Sequence, residues 1–291
     1  MRARHRGAIS GLKFGVPTGW ASLHNVFKTR STRLSADAIG IRNQRDPMTS
    51  SELTDTARGA VTSSTSRPRA SQRAGGWASL VEAFTYVVGF GVAAAYLAPE
   101  GLLDAQDDPA ESLAFLLDHQ AVLYAWYLVL YLVAGAALVV LVLGIHDRLA
   151  DRTPALAQIT TAFGLIWAGL LLASGMIALV GQRAAIELAA TDRAEAVSTW
   201  SAVSVVQDAL GGGIEIVGAL WVMLVSAAAF RSPALPRGLA VLGVVVGIAG
   251  AATLVPQLAD AAAIFGLGFI AWYIWAGLVL LRDNRPAVSP G

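Results

Sequence analysis

Cysteine is absent from the 291 residues. That excludes disulfides, thiolate-held zinc, iron–sulfur clusters and cysteine nucleophiles, and it leaves the redox compartment unread. Histidine is scarce, at His5, His24, His119 and His146. The last two fall at opposite ends of one expected helix, so a histidine-held metal centre is not expected, and no metal or cofactor is assigned. Catalytic and nucleotide signatures are missing too: no His-Glu-x-x-His, no Gly-x-Ser-x-Gly, no P-loop and no dinucleotide-binding glycine fingerprint in context. Nothing resembles a nucleic-acid-binding module. Charge is thin at 14% of residues, where a soluble domain carries about 25%.

The few charges are unevenly placed. Thirteen of the 21 Lys and Arg precede Trp77, and long apolar runs follow. Runs of this kind read as bilayer spans, because about 20 helical residues cross about 30 Å of hydrocarbon. Six apolar windows stand at 77–98, 121–144, 157–180, 203–230, 238–255 and 261–281. In lipid every backbone amide must be satisfied internally, and helices achieve this where open strands cannot. Pro99, Pro154, Pro233, Pro236, Pro256 and Pro286 all lie between or beyond the windows, where a missing N–H costs nothing. The fold expected is an all-α membrane protein, a six-helix bundle over 77–282 with a short tail at 283–291.

Alternate loops give the orientation. One side holds thirteen Lys and Arg in the N-terminal tail and two each in 145–156, 231–237 and the C-terminal tail. The opposite side holds only Arg183 and Arg193. Positive charge stays inside, so both termini are expected in the cytoplasm.

Residues 1–76 are rich in Arg, Ser and Thr and are expected to be disordered, since they cannot bury enough surface to offset chain entropy. Residues 1–36 carry seven basic residues and no acid, as a transit peptide would. The plainer reading starts the native protein at Met48, leaving 1–47 outside it. A third reading is a basic arm held by anionic headgroups.

Two helix starts are written into the external connections. Asp108-Pro109-Ala110-Glu111 places an N-cap, a first-turn proline and a capping-box acid in order, and Asp192 with Glu195 repeats the pattern. Trp77, Tyr96, Tyr124, Trp126 and Trp200 fall near the expected membrane interfaces. Tyr124, Tyr127 and Tyr131 are spaced to share one helix face, usually a packing stripe. Gly243 and Gly247 form a GxxxG element suited to close helix approach.

Three acids within the windows carry the functional interest: Glu82, Asp208 and Glu215. A carboxylate at mid-bilayer costs roughly 2.5–3.5 kcal/mol, so it implies a cavity, a partner or a proton. Asp208 and Glu215 stand about 10 Å apart along one face, with Gly211-Gly212-Gly213 between them. The candidate site is therefore a polar cavity of Glu82, Gln207, Asp208 and Glu215 at a broken helix, a place where transporters hold ions and solutes. The bland alternative is an interfacial helix over 197–210 that leaves both later acids at the outer surface. Glu82, five residues after Trp77, reads as close to the membrane surface. The segment Ile166-Trp-Ala-Gly-Leu170 recurs as Ile274-Trp-Ala-Gly-Leu278; without matching echoes elsewhere it is taken as chance.

The run Gly-Gly-Gly-Ile-Glu-Ile-Val-Gly (211–218), Leu-Pro-Arg (235–237), Gly243 and Phe-Gly-Leu-Gly-Phe-Ile-Ala-Trp (265–272), with Glu82 and Leu-Tyr-Ala-Trp (123–126), resembles a family of bacterial membrane proteins. It is the family catalogued as domain of unknown function 4386, and the likeness covers about 77–282. The resemblance implies six helices in a bacterial plasma (inner) membrane and brings no activity or site residues with it. The function expected is non-enzymatic: a structural, sensory or partner-binding role. The alternative is a small transporter or proton-coupled carrier, and an intramembrane enzyme comes last. The partners expected are the lipid bilayer and a second copy or another membrane protein.

Overall fold

The computed structural model describes residues 50–106, 108–212, 215–258 and 260–282. The chain divides into two compact units, Met1–Ala57 and Arg58–Gly291, and the six rods below belong to the second. They are α1 (Ala70–Leu97), α2 (Pro109–Leu149), α3 (Pro154–Ala189), α4 (Arg193–Phe230), α5 (Arg237–Ala252) and α6 (Ala261–Leu281). Five are long and apolar enough to cross a membrane and α5 is a shorter apolar helix, so the chain is a multi-pass membrane protein.

The expected helix starts form as written. Asp108 accepts from the Ala110 and Glu111 amides at 2.6 and 3.4 Å, with Pro109 at the first position. Asp192 accepts from the Ala194 and Glu195 amides, each at 3.0 Å. Each cap satisfies amides that have no partner within the helix.

Among the described residues the helix containing α1 begins at Ser50. Residues 1–49, with the reading of 1–47 as upstream sequence, lie outside the described residues, as does the tail 283–291. The fifth helix has 16 residues rather than a full span, about 24 Å of rise against about 30 Å of hydrocarbon. It stops because Thr253 turns back to cap Gly250 and Pro256 follows.

Consecutive rods pack side by side, with α3 central, touching α2 and both halves of α4. The first rod wedges between α2 and α6 through glycine. A methyl at Gly75 would sit 2.8 Å from the Gly144 Cα, and one at Gly277 3.0 Å from the Gly76 carbonyl oxygen. Small residues let backbones approach this closely where lipid offers no hydrophobic drive to association. These contacts align the rods at the end carrying Arg148, Arg152, Arg231, Arg237 and Arg282, termed the arginine end. There the Arg148 Nε also donates to the Ala234 carbonyl at 3.0 Å. Rods of 36 to 41 residues rise about 54–62 Å, about twice the hydrocarbon thickness. With one set of ends level, the excess projects at the opposite, acidic end, where Leu97, Leu113, Leu116, Ala185, Ala196 and Trp200 close a small core of their own.

The main core lies between that cap and the arginine end and is unusually aromatic: Trp167, Trp221, Phe265, Phe269, Trp272 and Tyr273 are all buried together. Outside it, Trp77, Phe84, Val180, Ile248 and Ile264 are exposed, a surface suited to lipid. Two of the expected interface aromatics serve internally instead. The Trp126 Nε1 donates to the Gly89 carbonyl and the Trp200 Nε1 to the Ser112 hydroxyl, each at 3.0 Å.

Besides a kink at His119 (φ −118°, ψ 21°), regular α-helix gives way at three places, all toward the acidic end. Ala93–Leu97, Leu128–Val133 and Asp208–Gly212 are wound as π-helix, whose wider turn takes an extra residue and rotates the faces on either side. The tyrosine stripe is split ahead of the second of these segments: Tyr124 is exposed while Tyr127 and Tyr131 turn inward.

Candidate functional site

Glu82 is the most buried of the candidates. Its side chain has no exposed surface, and neither carboxylate oxygen has a hydrogen-bond partner among the described residues. The sequence reading set Glu82 close to the membrane surface; within the bundle it lies well along α1 and faces inward. Twelve residues separate Glu82 from the start of the rod, about 18 Å of helix. Around it α1 turns a narrow polar strip inward. The Ser79 hydroxyl donates to the Tyr273 carbonyl at 2.7 Å and the Thr85 hydroxyl to the Glu82 carbonyl at 2.8 Å. Both hydroxyls are thus committed to backbone and leave the carboxyl alone.

Two tyrosines that the sequence reading passed over border this strip: Tyr86, one turn along α1 from Glu82, and Tyr273 of α6, whose carbonyl takes the Ser79 hydrogen bond. Their rings meet edge to face at 5.7 Å. Among the described residues the Tyr273 hydroxyl has no hydrogen-bond partner, nor do the Trp221 and Trp272 indole nitrogens in the same aromatic core. Buried polar groups are ordinarily satisfied, so four such residues in one core ask for an explanation. The i to i+4 spacing of Glu82 and Tyr86 was the available signal; the arrival of Tyr273 from the last helix had none.

The other three candidates lie nearer the acidic end, at the break in α4. Its α-helix ends at Gln207 and resumes at Ile216, with Gly211 at φ +132°, a conformation that favours glycine. Gly213 and Ile214 lie outside the described residues. Gln207 is buried and donates from Nε2 to the Tyr131 hydroxyl at 2.6 Å, while its carbonyl accepts from Ser174 at 3.2 Å. A methyl at Gly175 would meet the Tyr131 Cβ, so α3 leaves room for that tyrosine. Asp208 is exposed and Glu215 half-buried. The Glu215 amide donates to the Thr253 hydroxyl at 3.1 Å, joining the restart of α4 to the end of α5.

The four differ in exposure: Asp208 is exposed, Glu215 half-buried, and Gln207 and Glu82 buried. Among the described residues no three His, Cys, Asp or Glu side chains are grouped closely enough to hold a metal ion. No family model, no curated protein and no solved structure matches the chain.

Proposed function

We propose that the protein is a six-crossing membrane protein with both termini in the cytoplasm, and that it works as a proton-coupled carrier or sensor centred on Glu82. The orientation follows from the arginines gathered at one end. The short α5 crosses as the partner of the second half of α4. Membership of the bacterial family that its later helices resemble, and residence in a bacterial inner membrane, belong to the same proposal.

The observation that carries the reading is the buried, unpartnered Glu82 carboxyl. A purely structural bundle gains nothing from it, because an unsatisfied buried polar group costs about 1–3 kcal/mol. A group retained at such a cost fits a role in binding. The donor set favours a proton over a hard metal cation. Calcium takes about six to eight oxygens, whereas Glu82 has two phenols near it and hydroxyls already committed to backbone. A proton needs one carboxyl group. This favours the carrier or sensor reading over a structural or partner-binding one. The role is non-enzymatic.

Infrared spectroscopy of the protein in lipid tests this. A carbonyl band of a protonated carboxyl group is expected in the wild type, lost in Glu82→Gln and titrating with pH. If the variant shows the same band, or the wild type shows none at any pH, the proton site is not Glu82.

A further inference from the structure

We infer that the groove between α2 and α3 toward the acidic end binds a phospholipid with a primary-ammonium headgroup, of the phosphatidylethanolamine kind. It uses none of the residues around Glu82 and stands independently of the proton-site reading.

The groove has a volume of about 680 Å³, within the range of small-molecule sites, about 300–1,000 Å³. Gln182, only 2% exposed, lines its inner side. The Gln182 Nε2 donates to the Gln120 carbonyl at 2.7 Å, next to the kink of α2 at His119. The Gln182 Oε1 is buried and has no hydrogen-bond partner among the described residues. A buried carboxamide oxygen is ordinarily satisfied, so this one marks a place for a donor from outside the chain.

The walls change character in the same order as a phospholipid does. Along α3 the exposed side chains run Met176, Val180, Arg183, Glu187 toward the acidic end. Along α2, which runs antiparallel to it, they run Leu128, Tyr124, Gln120. The hydrogen bond from Gln182 to Gln120 sets the two rows level. Acyl chains match Met176, Val180 and Leu128. The phosphate falls at Arg183 and Tyr124, a guanidinium and a phenol that both donate to it, and a tyrosine ring suits the membrane interface. The ammonium falls farther out, between the Gln182 oxygen and Glu187, which lies one helical turn or about 6 Å beyond Arg183.

Arg183 and Glu187 face each other at 3.8 Å with most of each side chain exposed. A surface pair of this kind holds weakly, so a zwitterion can part it and leave both charges matched. Hydrogen-bond donors decide the kind of ammonium. A primary ammonium carries three N–H groups, enough for Glu187 and Gln182, whereas a quaternary one carries none. Quaternary ammonium groups are held by cages of aromatic rings, and among the described residues lining the groove only Tyr124 is aromatic. An anionic glycerol headgroup would leave Glu187 unmatched.

The test is native mass spectrometry of the delipidated full chain in detergent, titrated with phosphatidylethanolamine, phosphatidylcholine or phosphatidylglycerol of identical acyl chains. The ethanolamine lipid is expected to bind about tenfold more tightly than either of the others, the worth of one charge-assisted hydrogen bond. Arg183→Ala is expected to weaken all three lipids, and Glu187→Ala to remove the preference for ethanolamine. Both side chains are on the surface, so neither change disturbs the core. Equal or tighter binding of the choline or glycerol lipid overturns the site, as does an ethanolamine preference that survives the double variant. Displacement of the bound lipid by free phosphoethanolamine alone assigns the groove to a soluble compound and overturns the lipid.

Discussion

The arginine end and the acidic end of the bundle are built on different terms. At the arginine end the rods are regular α-helices that meet through glycine, with Gly75 on Gly144 and Gly76 on Gly277. Toward the acidic end all three π segments and the break at Gly211 occur. The buried side-chain hydrogen bond of Gln207 to Tyr131 is there too. Close backbone packing leaves no freedom for side chains to move, whereas irregular turns supply it at some cost in stability. The bundle is a closed base below a loosened upper half, and Glu82 sits where the two meet.

Substitutions can break this comparison, and thermal unfolding in detergent reads their effects. The largest is expected from Gly144→Val, whose added carbon would lie 2.7 Å from the Gly75 Cα; overpacking of this kind costs about 3 kcal/mol. Gly91→Ala is the matching control, since nothing lies within 4 Å of the added methyl, and a gain of about 0.5–1 kcal/mol is expected. If both behave alike, the base is not closed by backbone contact. Glu82→Met should raise stability by about 2 kcal/mol by removing an unsatisfied carboxyl, while abolishing any proton-dependent function. A loss of stability instead would mean that Glu82 has a structural partner. Gly211→Ala meets no steric obstacle and should cost about 1–2 kcal/mol through its positive φ alone. The smallest effect, about 1 kcal/mol, belongs to Asp192→Ala at the acidic end, where one N-cap is lost.

Access sharpens the comparison further. Single cysteines at Asp208 and Glu215, in a chain with no native thiol, should react with an impermeant thiol reagent from the acidic side, with Asp208 labelled first. Equal rates at both positions, matching a loop control, would place Glu215 at the surface.

What the sequence makes legible is what is local. The caps at Asp108 and Asp192 are set by residues two and three positions away, so their geometry forms as read. The broken helix was legible from three consecutive glycines. The depth of Glu82 was not, because it depends on where α1 begins and on contacts arriving from α2 and α6. The π segments carry no sequence mark of their own, and the tyrosine stripe that spacing alone would keep together is divided by burial, Tyr124 outside and Tyr127 inside. The GxxxG element is used within the chain: a methyl at Gly243 would meet Ser226 and one at Gly247 would meet Met223, both on α4. The repeated Ile-Trp-Ala-Gly-Leu segment divides in the same way. Trp167 is 2% exposed in the aromatic core, and Trp275 is 40% exposed on the outside. Identical letters face opposite surroundings, so the echo reports a small alphabet and no internal symmetry.

The 16-residue α5 and the restart of α4 at Ile216, tied together by the Glu215–Thr253 hydrogen bond, make a hairpin too short for an average bilayer. In the proposed six-crossing arrangement lipid thins by about 6 Å beside it, at a cost of fractions of a kcal/mol per Å. The leaflet on the acidic side then dips toward the break, carrying headgroups and water toward Glu215. Acyl-chain length thereby becomes a control on how far solvent reaches into the upper half: short-chain lipids fit the hairpin without distortion, and long-chain lipids strain it.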